Sequence, residues 1–89
     1  MCGITGIIGD LEFSAEEIIK NMNKAQAHRG PDGDGIFKGE NFIFGHNRLS
    51  IIDLTEQGKQ PMQYMNRFVI TYNGEIYNYI ELRDDLIKL

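Results

Sequence analysis

The sequence has no tryptophan, two prolines and one cysteine among its 89 residues. A single cysteine cannot form an intrachain disulfide, so we expect a reducing, cytoplasmic location. No basic residue precedes Lys20, and Asp10 and Glu12 interrupt the apolar N-terminal stretch, which is unlike a secretory signal. No apolar run approaches the roughly 18 residues that a membrane-spanning helix needs, so no membrane partner is expected.

Positive charge is also scarce. Nine basic residues against thirteen acidic ones give a net charge of −4, which disfavours nucleic acid and anionic membranes as partners. The hydrophobic share of 42% and the charged share of 25% are those of a soluble globular chain. A chain of this length buries about 60 to 68% of its unfolded surface, so its core should be thin without a partner or further chain.

The first third of the chain predicts a strand followed by a helix. The segment from Cys2 to Gly9 is β-branched and interrupted by glycines, which is typical of a buried strand. Ser14 and Glu17 match a capping box, so a helix is expected to begin there and to end at Gly30-Pro31. Its inward face should carry the apolar residues Ile18, Ile19, Met22 and Ala25.

The middle of the chain predicts a loop and a hairpin. The sequence HRGPDGDG, residues 28–35, holds three glycines and one proline, so we expect a loop with unusual backbone angles. Apolar runs at 36–38 and 42–45 flank Gly39-Glu40-Asn41, a three-residue connection typical of a β-hairpin. Residues 47–64 are mixed and turn-rich, and residues 67–72 resume as a strand.

Two alternatives stay open after that strand. Asn73-Gly74 is a strong hairpin signal, which would make residues 75–80 a further strand. Asn78 and Glu81 instead match a second capping box, which predicts a helix running toward Leu89. The apolar positions of that helix would include Ile80, Leu82 and Leu86.

Cys2 is the residue most suggestive of chemistry. Removal of Met1 would leave its thiol beside a free α-amino group, and such groups have a pKa of about 7.7 to 8.0, which suits a base near neutral pH. One residue would then supply both nucleophile and base, an arrangement known for N-terminal threonine. The alternative is that Cys2 is a small buried hydrophobic side chain.

Arg48 and the Asn73-Gly74 pair could bind a substrate. The planar guanidinium of Arg48 could hold a carboxylate through two hydrogen bonds, although a surface ion pair is the alternative. The Asn73 amide and the Gly74 N–H could both donate to one oxyanion, with Glu75 nearby for an ammonium group.

Metal and nucleotide motifs fail on their spacing. A calcium loop counted from Asp32 would need ligands where Ile36 and Ile43 stand. His28 and His46 have no metal-ligand spacing with Cys2, so the histidines are interpreted as structural. The dinucleotide and Walker fingerprints are absent as well. We therefore expect no metal in this chain.

Several segments, taken in order, resemble the glutaminase domain of glutamine-dependent asparagine synthetases, which are class II glutamine amidotransferases. The segments are MCGITGIIG, HRGPDGDG, HNRLSIIDL, QPM and NGEIYN, and the resemblance spans nearly the whole chain. It implies an α+β fold: the N-terminal part of an αββα sandwich of the N-terminal nucleophile (Ntn) hydrolase type, with antiparallel sheets. It also favours functional roles for Cys2, Arg48 and Asn73-Gly74.

The resemblance implies a role for each of these residues. Cys2 would be the nucleophile, and Asn73 and Gly74 the oxyanion donors. Arg48 would anchor the α-carboxylate of L-glutamine, and Glu75 would help to hold its α-ammonium group. The thiolate would attack the side-chain amide, ammonia would leave, and water would hydrolyse the γ-glutamyl thioester. The same pocket would be lined by the backbone of Leu49, Ser50, Ile51 and Ile52.

The resemblance also implies what these residues leave out. The domain of that family continues further, so residues 1–89 are expected to be an incomplete glutaminase domain whose open sheet edges favour self-association. ATP and Mg²⁺ are expected in a synthetase domain absent from this chain, which would use the ammonia to amidate aspartate. Two alternatives remain: a relative whose acceptor is a sugar or a peptide, and an inert fragment that serves as a binding or assembly module.

Overall fold

The structure, a computed structural model, describes residues 2–49 and 58–89. Within these ranges the chain forms five strands and two α-helices, and a short 3₁₀ helix, Ala27–Arg29, follows the first helix. The elements are β1 (Gly3–Ile8), α1 (Ala15–Ala25), β2 (Gly33–Lys38), β3 (Phe42–Arg48), β4 (Met62–Tyr64), β5 (Phe68–Ile70) and α2 (Tyr79–Ile87). The predicted α+β class with antiparallel sheets is confirmed.

β3 is the central strand of the larger sheet. β1 and β2 flank it in the order β1-β3-β2, and both pairings are antiparallel. β1 is aligned so that Gly3 lies opposite Asn47, and β2 so that Gly33 lies opposite Arg48. The C-terminal end of β3 is therefore bordered by the start of both neighbouring strands.

The predicted hairpin between β2 and β3 is confirmed, and its strands are longer than expected. It turns through residues 39–41, where the Gly39 N–H donates to the Phe42 carbonyl at 2.8 Å. β2 begins at Gly33, so the predicted loop over residues 28–35 is wrong for its last three residues. Gly35 packs against the Gln60 carbonyl, which a Cβ at this position would overlap.

One face of α1 covers the larger sheet. Ala15, Ile19 and Asn23 recur at intervals of four residues and are buried, and Ile43 of β3 packs against them. The predicted inward face is wrong in part, because Ile18 and Ala25 are exposed. The partly buried residues Ile7, Leu11, Met22 and Ile36 surround this core.

A buried polar residue explains the shifted face of α1. The Thr5 hydroxyl donates to Asn23 Oδ1 at 2.9 Å, and Asn23 Nδ2 donates to the Gly35 carbonyl at 3.2 Å. These bonds compensate the burial of the amide and tie α1 to both outer strands. Gly45 leaves room for the pair, since a Cβ there would meet both side chains. Apolar periodicity alone could not reveal a polar residue at the centre of the interface.

Both helices begin near the predicted residues but without the predicted capping boxes. Ser14 and Asn78 precede α1 and α2, and neither side chain makes a cap hydrogen bond. Their ψ angles of 6° and 34° are outside the extended region from which a cap side chain reaches the first free N–H groups. α1 ends at Ala25 rather than at Gly30-Pro31, because the chain tightens into the 3₁₀ helix.

The second sheet is the hairpin of β4 and β5. Met65 and Asn66 have φ angles of 55° and 53°. The Arg67 N–H donates to the Tyr64 carbonyl at 3.1 Å, which completes a turn of the I′ type. β4 was not predicted, and β5 is shorter than the predicted strand.

α2 confirms the helical alternative after Asn73-Gly74, so the alternative of a hairpin at that dipeptide is wrong. No residue of α2 is buried. One side of the helix carries an open groove whose apolar lining includes Ile76, Tyr79, Leu82, Leu86 and Ile87.

Candidate active site

Cys2 lies at one end of the larger sheet, immediately before β1. Its Sγ accepts a hydrogen bond from the Leu49 N–H at 3.3 Å and lies 3.7 Å from the Leu49 carbonyl oxygen. The carbonyl of Cys2 accepts a hydrogen bond from Arg29 Nε at 3.2 Å. The side chain is half-buried. The residue is therefore fixed through both its backbone and its sulfur, and part of its surface stays open.

The sheet register accounts for this neighbourhood. Gly3 lies opposite Asn47, so the preceding residue, Cys2, lies beside the residues that follow Asn47. These are Arg48, the last residue of β3, and Leu49. Antiparallel pairing thus brings the candidate nucleophile and the candidate carboxylate anchor to the same end of the sheet.

The backbone of Arg48 is supported by the segment after the 3₁₀ helix. The Asp32 N–H donates to the Arg48 carbonyl at 2.9 Å, and Pro31 forms a parallel bridge with Arg48. Gly30 is buried against the same strand, and a Cβ there would overlap the backbone of Asn47 and Arg48. Glycine is needed here for close approach of two backbones.

Arg48 and His46 point to the face of the sheet opposite α1. Asn47 is buried on the α1 side, where it lines a cavity with Asn23. Successive side chains of a strand alternate between faces, so His46 and Arg48 share the other face. Cys2 shares that face too, because it precedes the partner of Asn47 by one residue.

Thr71 and Tyr72, which precede Asn73, are hydrogen-bonded to this sheet. The Thr71 hydroxyl lies 3.4 Å from the Gly45 carbonyl, and the Tyr72 carbonyl lies 3.1 Å from His46 Nε2. Asn73, which is half-buried, follows directly. The structure therefore links the candidate oxyanion donors to the strand that carries Arg48.

Gly74 and Glu75 are exposed and line a shallow cavity, whose other described lining residues are Tyr72, Ile76 and Tyr79. The described lining of this cavity contains neither Cys2 nor Arg48. Cys2, Arg48 and Leu49 are thus brought together at the sheet end, whereas Gly74 and Glu75 line a separate cavity. The remaining predicted pocket residues, Ser50, Ile51 and Ile52, lie outside the described residues.

His46 is a site neighbour to which the sequence analysis gave only a structural role. It is 1% exposed. A carbonyl oxygen can only accept, so Nε2 carries the proton in the bond to Tyr72. Burial is the largest influence and lowers the pKa of His46 below its ordinary value of 6.5; the bond to Tyr72 raises this pKa, and the charge of Arg48 lowers it.

The Nδ1 atom of His46 is buried and has no hydrogen-bond partner among the described residues. The alternation of side chains along a strand would have indicated the position of His46 from the sequence. His46 stands two residues before Arg48, so the two side chains must share a face.

The part of the chain that the structure describes has neither a cluster of metal ligands nor a membrane-spanning helix. In residues 2–49 and 58–89, no three His, Cys, Asp or Glu side chains lie close enough together to hold a metal ion. Neither helix in these ranges is long and apolar enough to cross a membrane.

Known proteins similar to this chain agree on one family. The family described as the glutamine amidotransferase domain matches residues 1–89. Glutamine-hydrolysing asparagine synthetase 1 of Bacillus subtilis is 50% identical over 91 residues, covering 97% of this chain and 14% of that protein. A putative glutamine-hydrolysing asparagine synthetase 2 of Methanocaldococcus jannaschii is 46% identical, covering 94% of this chain and 20% of that protein. Asparagine synthetase B of Escherichia coli is 40% identical, covering 93% of this chain and 15% of that protein. The chain thus spans a fifth or less of the length of these relatives.

Proposed function

The chain belongs to the glutamine amidotransferase domain family, and from this premise we propose that it is the glutaminase portion of a glutamine-dependent asparagine synthetase. It would hydrolyse L-glutamine and supply ammonia for the amidation of aspartate. That second reaction would use ATP and Mg²⁺ in a synthetase domain outside these residues. The observation that carries the proposal is the contact of the Cys2 sulfur with Leu49, next to Arg48 at the end of β3.

The proposed reaction begins at the N-terminus. Once Met1 is removed, the α-amino group of Cys2 takes the proton from the thiol, through water. The thiolate bonds to the amide carbon of the glutamine side chain, and the carbonyl electron pair moves onto oxygen. The Asn73 amide and the Gly74 N–H donate to this oxyanion. Donors that are held in place before the charge develops would need no reorganisation during the reaction.

The reaction is completed in two stages, collapse of the tetrahedral intermediate to a thioester and hydrolysis of that thioester. The electron pair returns to the carbonyl, the carbon–nitrogen bond breaks, and the α-ammonium of Cys2 protonates the leaving nitrogen to give ammonia. Water then attacks the γ-glutamyl thioester while the α-amino group accepts its proton. The carbon–sulfur bond breaks, glutamate leaves, and the α-ammonium group returns its proton to the sulfur, which restores the thiol. The same base thus acts in both halves of the reaction.

Substrate binding would fall to the groups around the sheet end. Arg48 would hold the α-carboxylate of glutamine through two hydrogen bonds, and Glu75 would accept from its α-ammonium group. The backbone of Leu49 and the residues after it would line the pocket. The support for this arrangement is that Arg48 shares a sheet face with Cys2 and that Glu75 adjoins Gly74.

We extend the proposal to the fold. The two antiparallel sheets would belong to an αββα sandwich of the Ntn hydrolase type, completed by residues outside this chain. In support, α1 covers one face of the larger sheet, and the segment after β5 is bonded to the opposite face through His46.

The test compares the natural full-length gene product with its Cys2→Ala variant. We expect intact-mass spectrometry of the wild-type protein to show that Met1 is removed, and a glutamine-mimicking electrophile to label Cys2. Cys2→Ala should release no ammonia from glutamine above background, because both nucleophile and labelling site are lost. Met1 retained on protein from its natural host would contradict the proposed base.

A matched control separates the two half-reactions. With ammonia supplied in place of glutamine, Cys2→Ala should still amidate aspartate, since external ammonia bypasses the glutaminase step. A sugar or a peptide aminated instead would correct the acceptor and leave the glutaminase in place. Ammonia release by the full-length protein but not by folded residues 1–89 would make the shorter chain an inert module.

A further inference from the structure

The backbone of Tyr72 is hydrogen-bonded on both sides of its Cα. Its N–H donates to Gln60 Oε1 at 2.6 Å, and its carbonyl accepts from His46 Nε2 at 3.1 Å. The N–H lies in the peptide unit before the Tyr72 Cα and the carbonyl in the unit after it, so the two bonds restrain both planar units that meet at this residue. The residue that follows is Asn73.

The two residues that bond to Tyr72 both contact the larger sheet, His46 as a member of β3 and Gln60 by packing against β2. His46 is buried in the central strand, where its partners across the sheet are Ile4 and Gly35. Gln60 is pressed against β2, since a Cβ at Gly35 would overlap its carbonyl. Both residues therefore contact the sheet whose central strand ends in Arg48.

The connection joins the two halves of the site. One half, Cys2 with Arg48, lies at the end of β3, two residues beyond His46. The other half, Asn73-Gly74, begins one residue beyond Tyr72. The hydrogen bond from His46 to Tyr72 is a short physical link between them.

We propose that His46 and Gln60 are positioning residues: by holding the two peptide units that meet at Tyr72, they fix the oxyanion donors Asn73 and Gly74 relative to the Cys2 sulfur. The proposal rests on the proposed function of the same site. Neither residue touches the reacting atoms. Their effect is geometric, and displacement of reacting groups by about 1 Å can lower a rate by about 10²-fold.

The first experiment measures glutaminase kinetics of the full-length protein with two changes at His46. His46→Leu removes the donor to Tyr72, and we expect kcat to fall by about 10²-fold while KM changes by less than about threefold, because Arg48 still binds the substrate. In His46→Gln an amide nitrogen lies close to the former Nε2 position. This variant should recover most of the loss, to within about tenfold of wild type.

Gln60 gives an independent pair of variants. Gln60→Glu keeps an acceptor for the Tyr72 N–H, whereas Gln60→Leu removes it. The same ordering of kcat is expected, with the acceptor-keeping variant closer to wild type. Equal kcat for Gln60→Leu and wild type would remove Gln60 from the proposal.

A stability control comes from the other face of the sheet. Thr5→Val removes the buried bond to Asn23 and should lower stability while leaving kcat within about twofold. The contrary outcome is that His46→Leu lowers kcat no more than Thr5→Val does when the two variants have lost the same free energy of unfolding. His46 would then be merely structural, and the positioning role would be refuted.

A failure of the proposed function can be distinguished from a failure of the positioning role. If the wild-type full-length protein releases no ammonia from glutamine, the glutaminase proposal fails. Positioning is then still measured by hydrogen exchange of the Tyr72 N–H. This exchange should be at least about tenfold faster in His46→Leu than in Thr5→Val, and equal exchange in the two would overturn the positioning role.

Discussion

Residue type and position in the chain made Cys2 a candidate nucleophile, whereas its surroundings came only from the fold. Its sulfur contacts Leu49 and its carbonyl contacts Arg29, residues that lie 47 and 27 positions away. Such distant contacts follow from strand register. His46 and Gln60 were missed for the same reason, since each acts on Tyr72 across a long sequence separation.

The buried imidazole of His46 predicts a dependence of stability on pH. Its pKa is lowered in the folded protein, chiefly by burial, so the unfolded chain binds the proton more readily. The free energy of unfolding should therefore be fully maintained above the ordinary pKa of 6.5 and should fall as the pH drops through 6.5 toward the folded value. Denaturant titrations of the full-length protein between about pH 5 and pH 8 measure this dependence.

His28 provides the matched control, because it is an exposed histidine in the same chain. His46→Gln should flatten the decline of unfolding free energy below pH 6.5, and His28→Gln should leave it. An equal decline in wild type and His46→Gln would assign the pH dependence to other groups.

Patterns that depend on neighbouring residues predicted the elements best. The turn at residues 39–41 could be anticipated because a few adjacent residues set it, and the start of α2 was predicted although its capping box does not form. The end of α1 could not be anticipated in this way. The 3₁₀ helix that follows α1 leads to Arg29, which donates a hydrogen bond to Cys2 in a distant part of the chain. β2 extends back to Gly33 for a comparable reason: residues around Gln60 pack on it from a distant part of the chain.

Close packing between the 28–35 segment and β3 predicts a steric effect. Gly30→Ala would place a methyl group on the backbone of Asn47 and Arg48. Strand and loop would have to separate, and we expect a loss of about 1 to 3 kcal/mol in unfolding free energy. Thermal unfolding of the full-length protein, monitored by circular dichroism, is the measurement.

Gly6→Ala is the same change in β1, where the nearest atom to the new methyl would be a ring carbon of Phe44 at 3.3 Å. A side-chain ring can shift, so this variant should stay close to wild type or gain up to about 1 kcal/mol from the smaller entropy of its unfolded chain. Equal losses for the two variants would mean that glycine matters at Gly30 for a reason other than close approach.

Taken as a whole, the residues that the structure describes leave much apolar surface uncovered. Leu86 and Ile87 in the groove of α2 are 67% and 75% exposed, and β4 and β5 carry exposed Tyr64 and Phe68. The relatives named above are at least five times longer. An apolar groove such as that of α2 favours association with other protein surfaces.

Residues 1–89 on their own should therefore self-associate at micromolar concentrations, as the open sheet edges also predict. Sedimentation velocity would measure this association. Leu86→Lys places a charge in the α2 groove and should shift the distribution toward monomer. Leu89→Lys adds the same charge outside the groove and should have less effect. Identical behaviour of both variants would locate the association elsewhere, with the exposed edges of the sheets as the next candidates.

The alternation of side chains along β3 limits how the length of this strand can change. Insertion of one residue between Gly45 and His46 would turn His46 and Arg48 toward α1 and bring a buried amide to the opposite side, so every contact near Cys2 would be lost together. The turn at residues 39–41 has no such restriction, because extra residues there leave the alternation of β3 intact. We therefore expect viable insertions in this part of the gene to cluster at the turn, with β3 itself invariant in length.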